Sequence, residues 1–401
     1  VINNQPSEDM CDGTAGNSCA TQGTFQGQGG GTEPSILNVS VLAAALNGGS
    51  SITVDTSDVS VGPAEPGNIT LSSDLDLALT NGDVSLTLLA HNDINIEADI
   101  DAGGGSGGGS GTLTLVLTAD QDNIGGGSVN LGKDSAGFVH IDTNYAGSVN
   151  GALTINGAGV TVRGTAGTDK VIIDALSTTI NADVTVPLNT TLEFEDGDVT
   201  VVGTLTLSGG DVFVDRDNDG TDTLTVTTLL DSTNSSSVLS GCNAVPCTGT
   251  TSANDTLAIT APSGTVGFRQ GFDVTLSGLR VTNTGHAEIG SVLDLTNGST
   301  YTIGNGSEFR LLGNNDEVRS SDSKGTLALG TGGTLKYTAA TGEGHVGSAE
   351  PTNTLTFTST GGTIAVVAGG GLEFFDGGSF TGSATTLLTS GQVDAIDLRG
   401  G

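Results

Sequence analysis

The chain has 401 residues and carries 45 acidic against 11 basic side chains, a formal net charge of −34. Nucleic acids and anionic membrane surfaces are polyanions, so this charge disfavours both as partners and favours cations. No apolar run approaches the roughly 20 residues of a membrane-spanning helix. We therefore expect neither nucleic-acid binding nor membrane insertion.

The N-terminal part of the chain differs in composition from the rest. Residues 1–33 are polar and rich in Gly, Gln and Asn, which predicts an extended N-terminal arm. Ser40–Leu46 then combines a possible Ser N-cap, three alanines and a following Asn-Gly-Gly, which predicts one short helix. Residues 34–401 form the predicted body of the protein.

Hydrophobic alternation is clear in residues 84–102. In Val84–Leu89 the apolar residues Val84, Leu86 and Leu88 fall on one parity, and in His91–Ala102 isoleucines alternate with acidic and amide side chains. A period of two is typical of β-strands with one buried and one solvated face. Similar units recur about every 8–12 residues, a spacing typical of repetitive all-β folds. Among them, Leu153–Ile155 and Val160–Val162 are predicted as separate strands.

Two all-β architectures fit this series. Asn-Gly and Asp-Gly pairs, which favour hairpins and hence a string of antiparallel sandwiches, occur at Asn81-Gly82, Asp196-Gly197, Asn297-Gly298 and Asn305-Gly306. Three short strands per turn with glycine at the corners fit a parallel β-helix better, with about 20–25 residues per coil. We predict a single long β-helix (a β-solenoid) over 34–401, with an irregular excursion at about 231–261.

Several phrases of the sequence resemble a known family. These are SVLAAALNGGSSITVDTSD, GNITLSSDL, VSLTLLAHNDINIEADIDAGGG, GTLTLVLTAD and GGSVNLG, all within residues 40–210. They resemble the filamentous haemagglutinin-type adhesins that are secreted by the two-partner route. The resemblance implies a right-handed β-helix, export from the cell, and a role at the cell surface or in adhesion.

The four cysteines are closely spaced in two pairs. Their spacing favours the disulfides Cys11–Cys19 and Cys242–Cys247, each closing a small loop; the other interpretation is two pairs of free thiols. Neither pair has the two-residue spacing of a zinc knuckle. Disulfides persist in oxidising compartments, so this pairing favours an extracellular location.

One loop has the spacing of a calcium site. Asp215, Asp217 and Asp219 stand at alternate positions before a glycine, so that three carboxylates can converge on one cation. Thr221 would add its backbone carbonyl and Asp222 a further carboxylate. We predict a structural calcium ion here, the alternative being a solvated acidic turn.

The other acidic groups are interpreted as solvated strand faces. They are Asp93, Glu97, Asp99 and Asp101, followed by Glu193, Glu195, Asp196 and Asp198.

An enzymatic function is not expected. Polysaccharide-degrading β-helices need paired acids or a base near calcium together with aromatic platforms, but this chain has no Trp and three Tyr. The histidines are scattered and are interpreted as surface residues: His91, His140, His286 and His345.

Assembly is expected from the ends of the β-helix. Each end of such a fold exposes unpaired backbone, and Leu387–Leu398 is still strand-like without a closing helix. Head-to-tail contact between copies then generates a filament. We predict a non-enzymatic extracellular structural or adhesive subunit of a calcium-stabilised surface filament, which is a homopolymer that contacts a host or matrix surface. The alternatives are a monomeric segment of a larger surface adhesin and a β-helical polysaccharide-degrading enzyme.

Overall fold

The computed structural model of the protein describes the N-terminal half more fully than the C-terminal half. The described residues are 1–5, 10–11, 23–27, 35–56, 67–102, 111–121, 126–133, 137–144, 151–164, 169–195, 197–213, 223–226, 229–232, 238–240, 256–259, 265–268, 273–276, 279–281, 286–289, 292–295, 300–303, 308–311, 313–320, 323, 325–347, 355–367, 370–375, 380–382, 386–389 and 396–398.

The chain folds into two compact units, Val1–Val199 and Thr200–Gly401. Unit 1 contains β1 (Ile2–Asn3), β2 (Met10–Cys11), β3 (Thr24–Gly27), β4 (Leu37–Asn38), α1 (Val39–Asn47), β5 (Ile52–Asp55), β6 (Ile69–Leu71), β7 (Leu75–Asp76), β8 (Val84–Leu89), β9 (Ile94–Ile96), β10 (Ile100–Asp101), β11 (Leu113–Thr118), β12 (Val129–Leu131), β13 (Phe138–Asp142), β14 (Ala152–Val162), β15 (Asp169–Asp174), β16 (Ser177–Pro187) and β17 (Thr190–Phe194). Strand β18 (Asp198–Val201) contains the boundary between the units.

Unit 2 contains the remaining strands. They are β19 (Thr204–Ser208), β20 (Asp211–Phe213), β21 (Thr223–Val226), β22 (Leu229–Ser232), β23 (Val238–Ser240), β24 (Thr256–Ile259), β25 (Thr265–Phe268), β26 (Asp273–Leu276), β27 (Leu279–Val281), β28 (His286–Ile289), β29 (Val292–Leu295), β30 (Thr300–Ile303), β31 (Glu308–Leu311), β32 (Glu317–Arg319), β33 (Thr326–Leu329), β34 (Thr334–Tyr337), β35 (Glu343–Val346), β36 (Thr356–Ser359), β37 (Thr363–Val366), β38 (Gly371–Phe374), β39 (Phe380–Gly382), β40 (Thr386–Thr389) and β41 (Ile396–Leu398).

The predicted helix is confirmed, but its cap is not the predicted serine. Helix α1 begins at Val39, and the side chain of Asn38 accepts a hydrogen bond from the Ser40 N–H at 2.9 Å. Asn and Ser are comparable N-caps. Asn38 takes the position because it ends a strand in extended conformation (φ −68°, ψ 126°), whereas Ser40 already lies in the first turn.

Strands in unit 1 pair in parallel rows. One row runs β5, β8, β11, β14, β16, and a second runs β6, β9, β12 and then along the later parts of β14 and β16. A third row runs β7, β10, β13, β15, β17. Among the described strands of this unit, β2 and β3 form the one antiparallel pair.

The core of unit 1 consists of columns of aliphatic residues in register. In the third row each core residue pairs with the next, and all are at most 2% exposed: Leu75, Ile100, Ile141, Ile173 and Phe194. Neighbouring strands lie about 4.8 Å apart, so such side chains stack directly on one another. The alternation predicted for Val84–Leu89 and His91–Ala102 is confirmed, because the residues of one parity are buried there.

Strand β14 corrects one prediction of the sequence. Leu153–Ile155 and Val160–Val162, predicted as two strands separated by a glycine turn, belong to one strand of 11 residues. The backbone stays extended through the glycines, and the mismatch with β16 is absorbed by a register shift between Asn156 and Gly159.

The first residues of the chain contribute to the core of unit 1. Ile2 pairs with both Leu37 and Leu71 and is 2% exposed. The Val1 ammonium donates a hydrogen bond to the Ser35 carbonyl at 2.7 Å. Within the segment 1–33, β1 is therefore an integral strand of the unit.

Unit 2 repeats a simpler pattern. Its rows are β20–β23–β26–β29–β32–β35–β38–β41, β25–β28–β31–β34–β37–β40 and β30–β33–β36–β39, so each strand pairs in parallel with the third strand after it. The partner of Val274 is Leu293, whereas the partner of Leu327 is Phe357, which lies much further along the chain. The repeat length therefore varies more than the sequence predicts.

Aromatic side chains pack in the core of unit 2. The rings of Tyr301 and Phe309 lie 5.0 Å apart at an interplanar angle of 58°, and those of Phe357 and Phe374 lie 5.3 Å apart at 73°. These are edge-type arrangements favoured by the ring quadrupoles. Burial raises the pKa of Tyr301 far above its usual value, so this phenol stays neutral.

The all-β prediction is confirmed at the level of strand content and parallel pairing. The hairpins that an antiparallel sandwich needs are not formed at Asn81-Gly82, because β8 pairs with β5 and β11 rather than with β7. Around the predicted excursion, β22 pairs in parallel with β19 and β24 with β21 and β27. Residues 241–255 between them lie outside the described part of the chain.

Candidate cation-binding sites

A column of carboxylates lies on the outer face of the third row in unit 1. Asp76, Asp101, Asp142 and Asp174 are register partners on β7, β10, β13 and β15. Each follows a buried aliphatic residue, so each points away from the core. One strand spacing of about 4.8 Å separates neighbours, which brings like charges close together.

This crowding perturbs Asp142. Burial first, and then the charges of Asp174 and Asp101, raise the pKa of its carboxyl to about 7, while the Asn144 N–H and His140 oppose the shift. Asn144 connects two members of the column: its N–H donates to Asp142 Oδ1 at 2.8 Å and its Nδ2 donates to Asp174 Oδ1 at 2.6 Å. The Asp142 carboxyl therefore gains and loses its proton near neutral pH.

His140 stands beside this column on the same strand. Its Nε2 lies 3.6 Å from Glu195 Oε2, and that carboxylate raises the pKa of His140, while burial opposes the shift. The donor atoms of His140, Asp174 and Glu195 all lie within 4.8 Å of one another. Because the imidazole carries its proton more readily here, we interpret the group as an ion pair embedded in carboxylates.

A second column of polar groups also joins these strands. Its members directly precede the same buried residues along the chain. The Asp99 N–H donates to Asp74 Oδ1 at 3.1 Å, and the His140 N–H donates to Asp99 Oδ1 at 2.9 Å. At the far end, Lys170 Nζ bonds Glu193, whose side chain is 4% exposed although it stands at an outward position. These carboxylates hold neighbouring strands together rather than lining a cleft.

Unit 2 brings together a different group of three. Glu343, His345 and Glu373 place one donor atom each within 4.8 Å of the others. His345 and Glu373 are register partners on β35 and β38, and the imidazole Nε2 lies 3.8 Å from Glu373 Oε2. The Glu373 side chain is 5% exposed, so this carboxylate is shielded from solvent although it stands on the same face as the imidazole.

The predicted calcium ligands lie outside the described residues, as do three of the four cysteines. They are Asp215, Asp217, Asp219, Thr221 and Asp222, and Cys19, Cys242 and Cys247. Cys11 is the second residue of β2, where the backbone alone is described. The calcium site and the two disulfides therefore stay predictions.

The acids predicted as a solvated strand face divide between two places. Asp93 precedes β9 and accepts a hydrogen bond from the Ser128 N–H at 2.8 Å, whereas Asp99 and Asp101 belong to the acidic third row. These side chains contact neighbouring strands as well as solvent.

The structure places two of the histidines beside a glutamate. His140 and His345, interpreted as surface residues, are each partly buried against a glutamate. The available signal is a polar–apolar–polar triplet that recurs along the third row of unit 1 as Asp-Leu-Asp, Asp-Ile-Asp, His-Ile-Asp and Glu-Phe-Glu, with Ile-Ile-Asp in its place on β15. It is easily missed because long and unequal stretches of chain separate the strands that carry it.

No family model, curated protein or solved structure matches the chain. Within the described ranges, no helix has the length and apolar character needed to cross a membrane.

Proposed function

We propose that the chain is a right-handed parallel β-helix that serves as a non-enzymatic, extracellular structural or adhesive subunit. The observation that carries this proposal is the ladder of outward asparagines. Asn181 Nδ2 donates to Asn156 Oδ1 at 2.8 Å, and Asn156 Nδ2 donates to Thr118 Oγ1 at 3.1 Å. Side-chain amides that satisfy each other from strand to strand form a repeating wall, which is suited to mechanical continuity.

A second ladder of the same kind supports this view. Asn130 Nδ2 donates to Asn95 Oδ1 at 3.0 Å, and Asn95 Nδ2 donates to Thr70 Oγ1 at 3.2 Å. The polar side chains of these faces are therefore used in joining coils. A filamentous haemagglutinin-type adhesin, as the resemblance of residues 40–210 implies, uses its β-helix in this structural way.

The partners proposed are further copies of the chain and a host or matrix surface. Unpaired strands at the end of a parallel stack are templates for another copy, and a head-to-tail contact that does not close forms a filament. Electron microscopy of the purified chain with calcium tests this. We expect end-to-end fibres; dispersed particles of single-subunit size at every concentration would support a monomeric segment of a larger adhesin instead.

Calcium is the cation proposed for the loop at Asp215, Asp217 and Asp219, with Thr221 and Asp222. An ion that binds only the folded state stabilises it by about 2.7 kcal/mol at roughly 100 times its Kd. We expect chelation to lower the melting temperature of the wild type and to leave Asp217→Ala unchanged. Equal midpoints of the wild type with calcium and with chelator would contradict a calcium site.

The extracellular location is tested through the cysteines. If Cys11–Cys19 and Cys242–Cys247 are oxidised, intact-mass analysis of native material shows no alkylation until reductant is added. Four thiols that alkylate without reductant would reject both disulfides and weaken the case for export.

A further inference from the structure

The group of Glu343, His345 and Glu373 is held by the backbone of two neighbouring strands. Glu343 and His345 alternate on β35 and so share its outer face, and β38 places Glu373 opposite His345. The strand β35 is itself anchored to the preceding coil. The His345 N–H donates to the Asp316 carbonyl at 2.7 Å, and the Glu343 N–H donates to Asn314 Oδ1 at 3.0 Å.

The space around the group is shaped by its neighbours. Gly371 is the register partner of Glu343, and a Cβ at that glycine would stand 2.8 Å from Glu343 Cγ. The missing side chain at 371 therefore leaves the room that the Glu343 side chain occupies. On the other side, the ring of Phe375 meets the imidazole of His345 edge-on, with centroids 4.9 Å apart at 82°.

The donor set decides which cation fits. Calcium takes six to eight oxygen ligands, whereas imidazole nitrogen suits zinc, copper, nickel and iron. Zinc binds His nitrogen and carboxylate oxygen at about 2.0–2.2 Å, which puts two tetrahedral ligands about 3.4 Å apart. The 3.8 Å between His345 Nε2 and Glu373 Oε2 is closed by small side-chain rotations.

We propose that Glu343, His345 and Glu373 bind a divalent transition-metal ion of the zinc class, with water in the remaining position. Glu373 is the buried ligand, His345 the nitrogen ligand fixed by Phe375, and Glu343 the exposed ligand that closes over the ion. The site joins the coils of β35 and β38. It is separate from the calcium loop in residues and in ligand chemistry, and it does not depend on assembly into filaments.

The test is a zinc titration of the full chain followed by long-range ¹H–¹⁵N spectra of its imidazoles. There are four histidines, so His345 is assigned with the variant His345→Asn. We expect zinc, but not excess calcium, to shift the coordinated nitrogen of His345 to a metal-bound value. An unchanged His345 spectrum at millimolar zinc would leave an ion pair with Glu373 only and would overturn the proposal.

Variants separate a ligand set from general charge. Loss of even an outer-shell partner weakens a metal site by about 10- to 100-fold, and we expect Glu373→Gln to weaken zinc binding at His345 by at least that factor. Glu343→Gln alters an exposed side chain and tests the same site should Glu373→Gln fail to fold. Glu317→Gln is the matched control, because Glu317 pairs with His345 on the opposite side and forms an ion pair with Arg319. Equal loss of affinity in this control would reject the proposed ligand set.

Discussion

The Leu-Glu-Phe sequence occurs in both units, and its surroundings differ. In unit 1, at Leu192–Phe194, the glutamate bonds Lys170 and the next residue, Glu195, faces His140. In unit 2, at Leu372–Phe374, the glutamate itself faces a histidine, and the next residue is Phe375, which contacts that imidazole. His140 lies two strands away from the motif, on β13, whereas His345 lies on β35, the strand next to it, so the two imidazoles meet the motif in different registers.

The cores beneath these motifs differ as well. In unit 1 Phe194 belongs to a column of aliphatic residues in register, whereas in unit 2 Phe374 packs on Phe357 at 5.3 Å. Aliphatic columns tolerate any side chain that stacks at the strand spacing, but a ring pair depends on both partners. The Leu-Glu-Phe motif therefore packs on aliphatic side chains in unit 1, whereas in unit 2 it also makes a specific ring contact.

The largest effects are expected from the two phenylalanines. Phe194→Ala and Phe374→Ala should each lower the free energy of unfolding by about 3–5 kcal/mol, since both rings are buried. The leucine variants test the difference between the two cores. Phe374→Leu should lower the free energy of unfolding by about 0.5–1.5 kcal/mol more than Phe194→Leu, because Phe374 loses a ring partner. Native-state hydrogen exchange measures each unit separately. Equal costs of the two leucine variants would contradict the difference between the cores.

The next largest effect is expected from the ion pair between Lys170 and Glu193 in unit 1. Lys170→Met removes the cation bound to the buried Glu193 carboxylate, and we expect a loss of about 1–3 kcal/mol, the usual cost of depriving a buried polar group of a partner. Lys170→Arg keeps the charge and is the control. Chemical denaturation followed in unit 1 measures both. If the methionine variant is as stable as the arginine variant, the ion pair contributes nothing.

A pH dependence should distinguish unit 1. The folded-state pKa of Asp142 is raised to about 7 from an ordinary value near 3.8, and that of His140 is also raised. Groups with raised folded-state pKa values favour folding while they stay protonated. Their contribution is therefore complete below about pH 4 for Asp142 and is lost as the pH rises through 7.

The variant Asp142→Asn isolates this effect. After allowance for solvent screening of a partly exposed column, we expect unit 1 to lose about 1–2 kcal/mol between pH 4 and pH 8 in the wild type and less in the variant. Melting curves or hydrogen exchange across this range give the measurement. A wild-type profile that rises or stays level with pH, with no difference from Asp142→Asn, would contradict the raised pKa.

Local patterns predicted much of the fold. The alternation at Val84–Leu89 predicted the strand bounds that the structure has, because burial of one face imposes a period of two. Strand β14 was wrongly predicted as two strands, because glycines are as consistent with a turn as with a bulge in an extended strand. Parallel pairing was predicted from the spacing of the strands along the chain. Strand β8 confirms it, because β8 pairs in parallel with β5 and forms no hairpin with β7.

The candidate sites could not be predicted in the same way. His345 and Glu373 lie on different strands, and their contact depends on a register that no local pattern contains. The pKa of Asp142 depends on burial by neighbouring strands and on the charges of Asp174 and Asp101, which are distant in the sequence. The sequence shows which side chains can titrate or bind a cation, but their positions relative to one another depend on the lengths of chain between paired strands.

The smallest effect is expected at the start of unit 1, where α1 packs beside the first strands. Asn38 caps this helix through Oδ1, and its Nδ2 donates to the Gln5 carbonyl at 2.7 Å. Asn38→Ala should cost about 1 kcal/mol, the typical value of a lost N-cap. Asn38→Asp keeps the cap acceptor and loses the donor to Gln5, so it should cost less. Exchange rates of the α1 amides give the measurement, with amides of unit 2 as internal reference. If both variants slow or leave unchanged the opening of α1, Asn38 is not the residue that fixes its N-terminus.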